Sequence, residues 1–454
     1  MSRAVRIRTA AVIVFAAALA VRLGIGVFLG FQTGPDQAAC GADTIEFEQM
    51  AWSAASGEGF RLHADGDATA FRAPGYPLLL SVVYRLVGRA YWANRVLLSV
   101  LGALTCVMVY ALALRLTGQA VVAFSAALLT AALPLQFYWC GHFMSEPLAA
   151  FLNVATVLLL VRAPLQSSMP TRSRTHVLTY LAAGVLCGLA ALTRPAALLM
   201  LPILAVLWAI SRNGGWKRWI ASVAFFALGI ALAVAPWTIR NRIVLDRWAL
   251  IATNGGSTFW GANNDIVARP GAHWGSWVTT TRVDRERKEA EVWSLANEVD
   301  RDKAEWRIGL EWVRENPEKV PMLLAGKFWR LLKPFPDSPN RIYVLATALG
   351  WILLLPTSLL GLCIVLQHRE MRGRFIPLHA QLLTLLATTM IFYGSERFRA
   401  PYEPFLAVFT GVGVVHLWKR MAAKRRGIHK SAGLDCGGSR RNQGHLSARA
   451  DPRG

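Results

Sequence analysis

Two sets of side chains in this sequence could do chemistry together. The run Asp43-Thr44-Ile45-Glu46-Phe47-Glu48 places three carboxylates within six residues. Arginines recur beside apolar runs, at Arg72, Arg194, Arg240, Arg242, Arg397 and Arg399. A carboxylate beside bound substrate can take a proton from a hydroxyl. Arginine offers a planar, permanently charged fork that suits a phosphate or diphosphate leaving group. Acids and arginines gathered at one face of a bilayer would suit group transfer from a phosphate-bearing lipid. Tyr76, Trp237, Phe259 and Trp260 add rings that could stack on sugars or anchor at the headgroup level. Arginines at span ends also snorkel toward water, so composition alone leaves each with a purely structural reading.

The elements that must position these groups are apolar. Of 454 residues, 54% are hydrophobic and 17% charged, against roughly 25% charged in a soluble domain. That excludes a disordered, solvating chain and argues against a soluble enzyme. Apolar stretches run near 9–31, 92–114, 119–139, 145–161, 177–193, 195–211, 219–237, 342–366, 376–393 and 400–418. At ~1.5 Å per residue each can cross most of a ~30 Å hydrocarbon core. The basic N-terminus resembles the flank of a signal peptide, but apolar residues continue to Phe31, so an uncleaved first span is expected. The expected class is an all-α polytopic membrane protein with about 10 transmembrane helices.

The net charge of +22 is explained by orientation. With the N-terminus cytoplasmic and ten alternating spans, Lys and Arg fall inside, most of all in the tail 419–454. Asp36, Asp43, Glu46, Glu48, Glu58, Asp65 and Asp67 then fall outside, against the single Arg61 of segment 31–71. This is the positive-inside pattern, and nucleic acid need not be invoked. The expectation is a multi-pass protein of the plasma (inner) membrane, both termini cytoplasmic, in contact with membrane lipids. The domain is expected over 1–418, and the basic tail 419–454 reads as disordered.

Two longer segments fall outside, about 32–91 and 238–341. In the first, Leu78–Val87 is too short to span and reads as an interfacial helix. The second has 17 basic and 14 acidic residues, the near balance of a wetted surface. Its spacing predicts a helix over 284–316, closed by Pro317, and an interfacial helix over 321–332. Cys40 and Cys140 both fall outside, where a disulfide could form. Ionisable groups are almost absent from the span interiors, whereas a transporter usually keeps them near the midplane. Chemistry at the outer surface is the better reading; a transporter or flippase of lipid-linked sugars is the alternative.

Several motifs carry a resemblance. Asp43, Phe47, Ala51 and Gly57-Glu58-Gly59-Phe60 resemble the first external loop of the glycosyltransferase C superfamily, nearest the protein O-mannosyltransferase and aminoarabinose-transferase-like enzymes. Arg72-Ala73-Pro74-Gly75-Tyr76-Pro77 resembles the segment that ends that loop. Ser145-Glu146-Pro147, Leu192-Thr193-Arg194-Pro195, Pro236-Trp237-Thr238-Ile239-Arg240-Asn241, Thr253-Asn254-Gly255-Gly256 through Gly261-Ala262-Asn263, Asn316-Pro317 before Lys327, and Glu396-Arg397-Phe398-Arg399-Ala400-Pro401 have counterparts in the same order. The resemblance spans about residues 10–418.

It implies a helical bundle whose first external loop carries a catalytic Asp, a sugar donor linked to polyprenyl phosphate, and transfer with inversion at the anomeric carbon. By position Asp43 is the general base. Many relatives have Asp-Glu here; this chain has Thr44 after Asp43, with Glu46 as candidate second carboxylate. Arg72, Arg194, Arg240, Arg397 and Arg399 are the expected donor contacts. The acceptor is a lipid, glycan or protein. No cofactor is required by these residues, and a divalent metal is left open.

Overall fold

The computed structural model describes residues 3–30, 33–35, 41–63, 65–162, 174–211, 215–338 and 340–434. Among these there is no strand, only an isolated antiparallel bridge between Arg61 and Ala68. The longer helices are α1 (Arg3–Leu29), α2 (Ala42–Ala55), α3 (Gly75–Val87), α4 (Tyr91–Thr117), α5 (Ala120–Ala132), α6 (Glu146–Arg162), α7 (Arg174–Thr193) and α8 (Met200–Ser211). They continue with α9 (Gly215–Leu245), α10 (Gly255–Ala262), α11 (Glu298–Glu315), α12 (Val320–Leu332), α13 (Arg341–Gln367), α14 (Ile376–Ile391) and α15 (Glu403–Leu434).

Among the described residues five helices are long and apolar enough to cross a membrane: Ile7–Leu29 within α1, α4, α7, α9 and α13. The pair α5 and Pro134–Gly141, bent by 59°, is a sixth if the two form one broken span. Pro134 causes that bend, because its ring holds Leu133 in extended geometry and no amide proton continues the helix. The stretches near 145–161, 195–211 and 376–393 are helical but shorter or broken; Pro195–Leu199 forms a 3₁₀ turn before α8. Helix α15 runs past the expected boundary at 418 to Leu434, and 435–454 lie outside the described residues.

Small residues let the helices approach closely. Gly361 on α13 lies against the backbone of Phe409 on α15, where a Cβ would overlap the Phe409 carbonyl. Gly184 on α7 and Gly229 on α9 meet in the same way. Without water to drive association inside a bilayer, such backbone contact supplies the packing.

The two segments expected outside the membrane differ from expectation in their helices and in their rings. The predicted helix over 284–316 is two pieces, a π-helical turn at Lys288–Trp293 and then α11. Asn297 restarts the helix, its side chain accepting from the Val299 amide at 2.9 Å. Helix α3 forms as expected, with Leu78, Val82 and Leu86 exposed at a spacing of four. Its other face packs on α2, where Phe47 and Tyr76 meet edge to face at 5.5 Å. The rings expected to stack on sugars are instead core: Tyr76 is buried and donates to Asn94 at 2.9 Å, Trp237 donates to the Ile251 carbonyl at 2.8 Å, Phe259 stacks on Trp306, and Trp260 is buried. Cys140 is a free, buried thiol donating to the Gln136 carbonyl at 3.2 Å, while Cys40 lies outside the described residues.

Candidate active site

Helix α2 opens after Gly41, whose φ of 72° makes a sharp entry that glycine allows. Asp43 sits in the first turn, where the helix dipole favours a carboxylate, and Glu46 follows three residues on, on the same face. The loop between α2 and α3 brings Arg72 across both. Its Nη2 lies 2.6 Å from Asp43 Oδ1 and its Nε 2.5 Å from Glu46 Oε2.

The second partner of Asp43 comes from the far end of the chain. Arg397, in the turn between α14 and α15, puts Nη2 2.9 Å from Asp43 Oδ2 and Nε 3.0 Å from Glu146 Oε1. Glu146 opens α6 and also receives Arg194 Nη1 at 2.9 Å. Arg194 stands just after α7 because Pro195 ends the helix there. The result is an alternating chain, Glu46–Arg72–Asp43–Arg397–Glu146–Arg194, drawn from five segments.

Exposure separates the members. Asp43 and Arg397 are each 24% exposed, whereas Glu146 is 2% exposed. The Glu146 oxygen Oε2 finds no hydrogen-bond partner among the described residues. Partial burial alone would raise the Asp43 pKa, but Arg397, Arg72 and the more distant Arg194 outweigh it and hold the carboxyl below the ordinary aspartate value. Asp43 is therefore ionised, as a proton acceptor must be. A carboxylate has about four lone-pair sites, so two arginines leave room for a hydroxyl. A cavity of about 140 Å³ adjoins the cluster, lined by Arg194, Asn254, Thr258, Phe392, Phe398 and Tyr402 among others.

Arg240 and Arg399 lie elsewhere. Arg240, near the end of α9, lies over the rings of Trp237 and Phe60 and donates to the Thr69 carbonyl at 2.9 Å. Arg399 is fully buried over the Trp351 ring, 3.9 Å from its centre, donating to the Leu331 and Lys333 carbonyls and pairing with Glu403 at 3.4 Å. Arg397 and Arg399 are two residues apart on one helical turn, so they point to different sides. Glu48 is likewise a strut, bound twice by Arg89 at 2.8 and 2.6 Å and by the Tyr84 hydroxyl at 3.2 Å. Lys327, buried on α12, reaches Asn263 Oδ1 at 2.8 Å and the Met390 carbonyl at 3.1 Å, and burial lowers its pKa to about 7.

No group of three His, Cys, Asp or Glu side chains among the described residues could hold a metal ion. Asp43, Glu46 and Glu146 each face arginines instead.

Sequence comparison matches residues 71–239 to the dolichyl-phosphate-mannose-protein mannosyltransferase family. That segment includes Arg72, Glu146 and Arg194. No curated protein matches the chain by sequence. Among solved structures, the fold is similar to that of the oligosaccharyltransferase AglB from Archaeoglobus fulgidus in complex with an inhibitory peptide and a dolichol-phosphate. That match has a TM-score of 0.54 at 14% identity and covers 95% of this chain and 52% of that one. The apo form of the same enzyme gives 0.55, again at 14% identity, covering 95% and 53%. ArnT from Cupriavidus metallidurans bound to undecaprenyl phosphate gives 0.41 at 15% identity, covering 89% and 77%. The chain spans about half the length of the archaeal oligosaccharyltransferase it matches. The motif resemblance thus has beside it a family match over residues 71–239 and a similar fold over nearly the whole chain.

Proposed function

We propose that the chain is a membrane glycosyltransferase that moves a sugar from a polyprenyl-phosphate donor to an acceptor hydroxyl at the outer face. The observation that carries this reading is the Asp43 carboxylate held between Arg72 and Arg397, in an ion-pair chain whose far member, Arg194, lines a cavity. In the proposed step Asp43 takes the acceptor proton while the acceptor oxygen attacks the anomeric carbon. The bond from that carbon to the phosphate oxygen breaks, and polyprenyl phosphate leaves with its electron pair. Arg72, Arg397 and Arg194 stabilise the charge growing on the phosphate. Glu46 holds Arg72, and Glu146 holds Arg194 and Arg397, so the donors are fixed before substrate arrives. Arg240 and Arg399 take framing roles in this scheme, since their guanidinium groups are already engaged by carbonyls and rings. The dolichol-phosphate of the archaeal relative supports a lipid-phosphate donor.

The scheme sets about ten spans across the plasma membrane, with α3 and α12 at the outer interface and residues 238–341 outside. The exposed Leu78, Val82 and Leu86 stripe suits the headgroup boundary. Ser294→Cys should react with an impermeant thiol reagent in intact cells, and Ser431→Cys only after permeabilisation. Labelling of the tail in intact cells would reverse the map.

The test of the function is mass spectrometry of envelope glycans and lipid-linked sugars with and without the gene. Deletion should accumulate one lipid-phosphate sugar and remove one decoration. A flippase would instead leave the donor trapped on the cytoplasmic side.

A further inference from the structure

The loop that delivers Arg72 has little structure of its own. Between α2 and α3 it turns on Gly57 and Gly59, both at positive φ, and is held to itself by the Arg61–Ala68 bridge and by Arg61, which donates to the Glu58 and Gly66 carbonyls at 2.9 and 2.7 Å. A free loop of this kind would spread Arg72 over many positions. Two residues before Arg72, however, the chain is gripped at every backbone polar group. The Thr69 amide donates to the Phe60 carbonyl at 2.8 Å, and the Thr69 carbonyl accepts from Arg240 at 2.9 Å. The Ala70 carbonyl accepts from the Thr253 amide at 3.0 Å. The Ala70 amide donates to Glu298 Oε1 at 2.7 Å.

Glu298 is the centre of this grip. Its Oε2 accepts from the Thr69 hydroxyl at 2.6 Å, and Oε1 also takes the Thr253 hydroxyl at 3.2 Å. It is the first residue of α11, anchored by Asn297, which caps the helix and donates to the Leu245 carbonyl at 2.7 Å. A carboxylate there lies with the helix dipole. Below it, Ala70, Leu245, Ala249 and Val299 form a small buried cluster. Nothing in the ion-pair chain around Asp43 touches Glu298, so its carboxylate is not part of the reacting centre.

We propose that Glu298 is a positioning residue: by clamping Thr69–Ala70 to the second external segment it sets Arg72 on Asp43 and Glu46. Arg72 is only about 7 Å of chain from Ala70, so a slip at the clamp passes directly to the guanidinium. Arg240 completes the same clamp from α9. The clamp therefore ties the site to a segment nearly 230 residues away in sequence.

The proposal rests on the transferase reading for its kinetic readout and stands apart from it in a second one. The full chain is compared in nanodiscs as wild type, E298Q, E298D, T69V, R72A and E298Q/R72A. Glutamine keeps the shape but offers one acceptor oxygen where three donors converge. The groups facing Asp43 are Arg72, Arg397 and Arg194, with Glu46 and Glu146 sharing them and Tyr393 nearby; Glu298 itself faces Arg240 and Asp302.

With Arg72 displaced, Asp43 loses a cation, so the acid limb of kcat/KM should move to higher pH in E298Q, as in R72A. The double variant should move no further than R72A alone. Misplacement of about 1 Å costs up to about 10²-fold in rate, so kcat should fall by a factor in that range. E298D should recover most of it, and T69V, which removes one of the three bonds to Glu298 and the 2.9 Å bond from the Phe71 amide, should show a shift in the same direction.

The second readout needs no activity. Carbodiimide coupling of an amine, mapped by mass spectrometry, should label Asp43 and Glu46 several-fold more in E298Q and R72A than in wild type. If wild type transfers no sugar, the functional reading fails while labelling still decides the clamp. Wild-type labelling in E298Q and T69V, with only stability or yield reduced, would overturn the proposal.

Discussion

Asp43→Asn should lower the transfer rate by about 10²–10⁴-fold, the usual cost of removing a general base. Asparagine keeps the size and can still accept from one arginine, but it takes no proton from the acceptor. Stability is a second reading of the same variant. Asp43 is a quarter exposed and bridges Arg72 and Arg397, each of which keeps another carboxylate partner in Glu46 or Glu146. A partly solvated pair is worth up to about 1 kcal/mol, so losing two costs up to about 2 kcal/mol, and insertion should stay near wild type. Donor binding should persist, because the phosphate partners remain; neutralising Asp43 also frees Arg72 and Arg397 of one competing anion. Binding of a polyprenyl phosphate measured beside turnover checks this. Wild-type turnover would move the base to Glu46.

Arg397→Ala should produce a different pattern, with donor binding, rate and pH profile changing together. Arg397 is the strongest attractive influence on Asp43, followed by Arg72. Without it the burial of Asp43 weighs more, and the pKa rises. The base works only when ionised, so activity is lost as pH falls through that pKa. The acid limb of kcat/KM should therefore move to higher pH. Ground-state contacts with the phosphate go as well, so KM for donor should rise while kcat falls. The variant also takes a cation from buried Glu146. Breaking a buried pair outright costs about 3–5 kcal/mol, but Glu146 keeps Arg194 at 2.9 Å and Arg397 is a quarter exposed. The loss of stability should fall below that range. Arg397→Lys should rescue little, since one ammonium cannot span Asp43 and Glu146 as the fork does. An unmoved acid limb with intact donor binding would remove Arg397 from the site.

Much of this architecture was legible because the bilayer permits few solutions. Long apolar runs become helices where backbone groups must satisfy one another, and Pro317 stands just past the end of α11 as expected, whereas the stretch 119–139, read as one run, is bent at Pro134. The helix over 284–316 was misread at its middle because the apolar spacing continues through Ser294–Asn297 while the capping side chain of Asn297 interrupts the backbone ladder.

In the site, residue types were legible and partners were not. Asp43 and Arg397 are 354 residues apart, and no local pattern links them. Arg240, Arg397 and Arg399 all stand near span ends and look equivalent in sequence. What separates them is what folds beside each: the Thr69 carbonyl and two rings, two carboxylates, or two carbonyls and Trp351. The same limit applies to Tyr76, Trp237, Phe259 and Trp260, because an aromatic ring serves equally as core or as sugar platform until its neighbours are known. Glu146 had a usable signal, a carboxylate opening an apolar helix, which is costly unless paired. Glu298 had none, being one of 14 acids in a mixed-charge segment.

The most direct measurement follows both products of the proposed step. Purified protein in proteoliposomes is given a set of polyprenyl-phosphate sugars and candidate acceptors from the native envelope, and mass spectrometry counts free polyprenyl phosphate and new glycoside. Wild type should form the two in equal amounts, with the anomeric configuration inverted and with both products lost together in Asp43→Asn. Movement of intact lipid-linked sugar across the bilayer, with no polyprenyl phosphate released and no glycosidic bond formed, would contradict the account.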